Sequence, residues 1–342
     1  MARATGSYDE SDVRIRPNRR GTRPRSKDRP AHEDAVPGRV TGVDRGRYTT
    51  LVGEGDDRHV VIAMRARELG RKGIVVGDDV FLVGDTTGVD GSLARIVRVA
   101  PRGTVLRRTA DDTDPVERVL VANADQLVVV SALANPEPRP RLIDRCLVAA
   151  YDAGMEPLLV LTKADLTDPA PFLEQYAALS VRHLVTARHD GSTDGLDALR
   201  QALSGRVSVL VGHSGVGKST LVNALVPLAL RATGVVNDVT GRGRHTSSSA
   251  VALALPDDDG WIIDTPGIRS FGLAHVDPAR IIQHFPDLEP GTAQCPRGCT
   301  HDEEECALDA WVDSGAAGPA GASRLDSLRR LLRARTPSTD DY

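Results

Sequence analysis

Gly212, His213, Ser214, Gly215, Val216, Gly217, Lys218 and Ser219 fill the spacing G-x-x-x-x-G-K-[ST], with Thr220 following. The run comes after an apolar stretch at 207–211 and before a helical pattern, the context that a phosphate-binding loop requires. Glycines let such a loop wrap closely, so that backbone N–H groups and the N-terminus of the next helix face an anion. Lys218 is expected to reach the β- and γ-phosphates of a nucleotide, and Ser219 to ligate Mg²⁺.

Three further groups have the right chemistry to complete that site. Asp264, Thr265, Pro266 and Gly267 follow an apolar run at 261–263. An Asp at a strand tip can hold Mg²⁺ through water, and the Gly267 N–H can sense the γ-phosphate. The tetrapeptide is also a good turn; the phosphate loop upstream gives it its meaning. Between the two lies the polar, glycine-rich loop Gly241-Arg242-Gly243-Arg244-His245-Thr246-Ser247. Its Thr246 hydroxyl is the natural contact to Mg²⁺ if the loop orders around the γ-phosphate. Thr162-Lys163-Ala164-Asp165 ends an apolar run and resembles the Asn-Lys-x-Asp guanine motif of Ras-like GTPases, with Thr162 in place of Asn. A carboxylate at Asp165 accepts hydrogens from guanine N1 and N2. Adenine offers no such pair and would leave Asp165 unpaired. The Lys163 stem can cover the base face. The loop carrying Thr186 and Ala187 resembles the backbone loop that contacts guanine O6.

Cys295, Cys299, His301 and Cys306 offer three thiolates and an imidazole with the spacing C-x3-C-x-H-x4-C. Such a Cys3His set suits one structural zinc per chain, and the acidic run at 302–305 adds a field favourable to a cation. Reduced cysteines in an acidic loop are the other reading. Cys146 stands alone on the apolar face of a helical pattern and reads as core.

Elements must hold these groups. Five short β-type runs separated by glycines occupy 37–102, which suits a small barrel of the OB type. From about residue 125 the rhythm changes to strands alternating with helices, an α/β domain with a mostly parallel sheet. The tail is helix-prone, with Leu325, Leu328, Leu331 and Leu332 on one face. The expected division is a disordered arm at 1–36, the barrel at 37–102, the nucleotide domain at 103–274 and a zinc-binding helical region at 275–342. Net charge is −4, but 14–29 carries eight Arg or Lys against one Asp, with prolines interspersed, a composition that cannot pack a core. Such an arm could neutralise nucleic-acid phosphates or be a solvated tail. Lys27, Lys72, Lys163 and Lys218 are the only lysines, and the latter two fall inside the nucleotide motifs. No apolar run reaches bilayer-spanning length, and the N-terminus lacks the apolar region of a secretory signal. The expected compartment is the bacterial cytoplasm.

Motif order identifies the family. The guanine motif precedes the phosphate loop here, whereas in Ras-like GTPases it follows. With the barrel, the Gly-Arg-Gly-Arg-His-Thr loop, the Asp-Thr-Pro-Gly and the trailing Cys/His set, the chain resembles the circularly permuted, ribosome small-subunit-dependent GTPases of the RsgA/YjeQ type. The resemblance covers roughly 38–335. It implies a monomeric, membrane-free assembly factor that binds the small subunit and its ribosomal RNA late in maturation and cycles between GTP and GDP. Ile268 stands where Ras-like proteins place the water-orienting Gln, so His245 is expected to supply that polar group, as a similar His does in the family. The family's first and last Cys/His spacers are usually one residue longer. A P-loop ATPase or nucleotide kinase, and an RNA-binding module with incidental hydrolysis, stay open as rivals.

Overall fold

Alternation sets the first five strands. β1 (Val36–Asp44), β2 (Arg47–Val52), β3 (His59–Arg65), β4 (Asp79–Gly84) and β5 (Ala94–Val99) turn Val40, Tyr48, Val52, Val61, Ala63, Val80, Leu82, Ala94 and Ile96 into one core. The pairing order β1-β2-β3-β5-β4, with β4 returning to β1, closes the expected barrel. β3 and β5 run parallel and the other pairs antiparallel. The computed structural model describes residues 32–70, 73–109, 117–189, 192–226, 250–265, 271, 273, 276–303 and 305–335. The basic arm, the loop 241–247 with His245 and Thr246, and Pro266, Gly267 and Ile268 lie outside them.

A ribbon of β6 (Val105–Thr109) and β7 (Glu117–Ala122), not anticipated from sequence, follows the barrel. The α/β part then comprises β8 (Gln126–Ala132), α1 (Pro140–Ala153), β9 (Glu156–Thr162), α2 (Ala170–Ala177), β10 (Arg182–Val185), β11 (Ala187–His189), β12 (Ser192–Asp194), α3 (Leu196–Leu203), β13 (Arg206–Val211), α4 (Lys218–Leu225), β14 (Val251–Ala254) and β15 (Gly260–Asp264). β10, β9, β8, β13 and β15 form a parallel sheet, with β14 antiparallel at its edge. β8 is buried at every position because both faces are covered. Leu127 and Val129 pack with Ile143 and Leu147 of α1. Val128 and Val130 pack with Leu199 of α3 and Leu221 of α4. β14 also pairs with β1 at Gly42 and Val251, making barrel and α/β sheet continuous. Thr41 is skipped in the β1–β2 ladder just there, and such a bulge bends the strand.

The chain ends in α5 (Pro278–Ile282), α6 (Ala307–Asp313) and α7 (Gly321–Ala334). All four leucines expected on one face of the last helix are buried. α7 packs on α1, and the buried Asp144 pairs with Arg330 Nε at 3.1 Å. Burial raises the Asp144 carboxyl from 3.8 to about 6, outweighing the attraction of Arg330. A raised folded value means that stability is fully present below the unfolded value of 3.8 and is lost as pH climbs through 6. The size is roughly 3 kcal/mol. Asp144→Asn should therefore unfold with a flatter pH dependence between pH 4 and 7, as urea titrations of both proteins would measure. Equal dependence would place the ionisation elsewhere. Among the described residues no helix is long and apolar enough to cross a membrane.

Candidate functional site

Two parallel strands deliver the phosphate-binding groups. β13 runs into the loop 212–217, and its neighbour β15 ends at Asp264, in register with Leu210. Gly215 and Gly217 take φ of +83° and +93°, which L side chains rarely adopt. A Cβ at Gly212 would sit 2.5 Å from the Val130 carbonyl. Lys218 opens α4, and its ammonium pairs with the Asp264 carboxylate. Ser219 and Thr220 are exposed at the start of the same helix. The Thr265 hydroxyl, which no motif singled out for this role, donates to Leu210 O at 2.7 Å and pins the end of β15 to β13.

The base loop is wired to the phosphate loop. Thr162, buried at the end of β9, donates its hydroxyl to Val216 O at 2.6 Å. The hydroxyl alone thus reaches the phosphate loop without the amide of Asn. Lys163 adopts a φ of +61°, and its Nζ donates to Gly215 O at 2.9 Å and to Asn135 O. No motif marks Asn135; it matters through a main-chain atom that any residue would offer. Asp165 Oδ1 accepts the Arg188 N–H at 3.0 Å. That bond holds the carboxyl below its usual value, keeping it an ionised acceptor. Thr186 is buried, and its main-chain carbonyl accepts the Ala164 N–H at 3.2 Å, so it and Ala187 border the base loop. His213 is half-buried, its Nδ1 2.9 Å from Ser214 O.

The Cys/His set also converges. One ligand atom from each of Cys295, Cys299, His301 and Cys306 lies within 4.8 Å of the others. Cys295 Sγ is 3.6 Å from His301 Nδ1 and 3.9 Å from Cys306 Sγ, and Cys306 Sγ is 3.8 Å from His301 Nδ1. Thiolates at about 2.3 Å around a tetrahedral ion lie about 3.8 Å apart, so the shortened spacers still fit a metal. His301 closes the loop at a φ of +69°. Burial pushes the Cys299 and Cys306 thiols up and the His301 imidazole down. A divalent cation would reverse the first effect, and the second favours the neutral ligand form. Cys146 is buried, as expected of a core residue.

Residues 99–274 match the family model described as RsgA GTPase. The chain is 39% identical to a small ribosomal subunit biogenesis GTPase RsgA of Gemmatimonas aurantiaca over 271 residues, 77% of this chain and 86% of that one. A protein of the same name from Chromohalobacter salexigens is 38% identical over 304 residues, 86% and 85% of the two chains. YjeQ from Thermotoga maritima superposes with a TM-score of 0.60 at 26% identity, covering 88% of this chain and 98% of that one. YloQ, a circularly permuted GTPase, shares the fold with a TM-score of 0.61 at 21% identity over 91% and 100% of the two chains. With its permuted motifs, its barrel and its Cys3His set all in place, the chain belongs to the RsgA GTPase family.

Proposed function

We propose that this GTPase acts in late maturation of the small ribosomal subunit, binding the subunit and turning over GTP faster there. The observation that carries the guanine assignment is the bridge from Lys163 to Gly215 O, which fixes the base loop and phosphate loop at one spacing. A nucleotide spanning both would place its base over the Lys163 stem and its phosphates along 212–219. Asp165 reads guanine N1 and N2, and Thr186 and Ala187 offer backbone to O6. Lys218 neutralises charge at the β- and γ-phosphates, aided by the N–H groups of the loop. Mg²⁺, when bound, would neutralise phosphate charge, held by Ser219, Thr246 and Asp264. Gly267 senses the γ-phosphate. His245 orients the attacking water, because Ile268 has no group that can. One zinc held by Cys295, Cys299, His301 and Cys306 would stabilise the C-terminal loop.

The relatives are named for small-subunit biogenesis, which supports ribosomal RNA as the partner of the barrel and the Cys/His region. The division at 36, 102 and 274, a monomeric state and a cytoplasmic site of action complete the reading. Asp165→Asn should weaken GTP binding by roughly 100-fold, through loss of a charged double acceptor, and gain xanthosine nucleotides in exchange. Fluorescent-nucleotide titration measures both. Unchanged GTP affinity would remove Asp165 from the base site.

A further inference from the structure

Arg145 belongs to none of the motifs, yet it is the largest fully buried side chain among the described residues, 1% exposed on α1. An interior guanidinium is costly unless its donors are met. Its Nη1 donates to the carbonyl of Ala334, the last residue of α7, at 2.9 Å. Its Nη2 donates to the carbonyl of Phe271. Phe271 is fully buried and follows Asp264 by seven positions in the chain. It lines a small cavity together with Gly212, His213 and Val216 of the phosphate loop. One rigid, planar fork therefore holds both Phe271 and the end of the C-terminal helix. α7 in turn grips the cysteine loop. Arg329 Nε donates to His301 O at 3.0 Å, and Arg333 pairs with Asp302 at 2.6 Å.

We propose that Arg145 is a positioning residue that couples the γ-phosphate side of the nucleotide site to α7 and, through α7, to the Cys/His loop. The coupling rests on the GTPase reading above. A shift of Phe271 between nucleotide states is passed to Ala334, because the two carbonyls share one guanidinium. A lysine here keeps the charge but has no second arm, so it cannot hold both carbonyls in fixed relation. The neighbouring Asp144–Arg330 pair docks the middle of α7 on α1 through a separate ion pair. It therefore serves as a control for simple docking.

Hydrogen–deuterium exchange on the full chain, with GDP and with a non-hydrolysable GTP analogue, reads the coupling directly. The last turn of α7 should exchange at rates differing by at least about threefold between the two nucleotides. Arg145→Lys should abolish that difference while nucleotide affinity stays within about threefold of the unaltered protein. Arg330→Met should raise exchange equally with either nucleotide and keep the difference. A difference that survives in Arg145→Lys, or vanishes in Arg330→Met, overturns the proposal. If Arg145→Lys does not fold, the unaltered protein decides alone: equal α7 exchange in both states refutes the coupling. Nucleotide affinity measured on the same samples keeps the two ideas apart. Tight GTP binding with an unresponsive α7 sinks the coupling and leaves the GTPase reading, whereas absent GTP binding sinks both.

Discussion

Lys218→Ala is expected to lower kcat/KM for GTP by at least about 10³-fold, with nucleotide affinity falling as well. Lys218 is the one lysine at the head of α4, where the helix N-terminus and the loop N–H groups already favour anions. Its ammonium lies against Asp264, so removing it also strips that carboxylate of its cation until Mg²⁺ binds. The lost attraction acts on bound substrate and on the transition state. Lys218→Arg should rescue little, since a planar fork does not replace a compact charge on a flexible stem. Single-turnover kinetics with labelled GTP, together with equilibrium titration, separates the two losses. Near-normal affinity would mean that the loop amides alone carry the phosphates.

The second large effect concerns metal. Cys306→Ser should abolish stoichiometric zinc and loosen the whole segment from Cys295 to α7. Structural zinc sites contribute roughly 10–16 kcal/mol of apparent binding in small peptides. Any such energy here would be local, because α6 is also tied to α7 by the bidentate Arg329–Asp309 pair at 2.9 and 2.6 Å, and the cysteine loop by Arg333. The expected outcome is an early unfolding step for α6 and α7 that precedes loss of the nucleotide domain. Metal analysis and thermal unfolding followed by the near-ultraviolet signal of Trp311, in a Trp261→Phe background, would read it. Much less than one zinc per chain in fresh, chelator-free protein would contradict the site.

Some of this architecture was legible because its signals are local. Short β-type runs between glycines marked all five barrel strands, and apolar runs marked β8, β9 and β13. The phosphate loop was readable because its glycines and its lysine are each demanded by backbone geometry or charge. What could not be read depends on partners distant in sequence. The ribbon of β6 and β7 is anchored by pairing, including the Val76–Val121 bridge, rather than by pattern. The pairing of β14 with β1 joins residues separated by most of the chain and hinges on a bulge at Thr41. Asn135 and Phe271 act through main-chain carbonyls, which leave no residue-type signature. A lone Arg145 in a helical pattern carries no signal of its role until acceptors such as Ala334 O and Phe271 O are seen. Thr162 shows the reverse: a departure from the guanine motif whose hydroxyl still meets Val216 O.

GTP turnover by the full chain, measured with and without purified small ribosomal subunits and in the presence of excess ATP, tests the account most directly. Subunits should raise kcat by an order of magnitude or more, because docking supplies the organisation that Ile268 cannot, and ATP should not compete. Turnover that is indifferent to subunits, or suppressed equally by ATP and GDP, would contradict it.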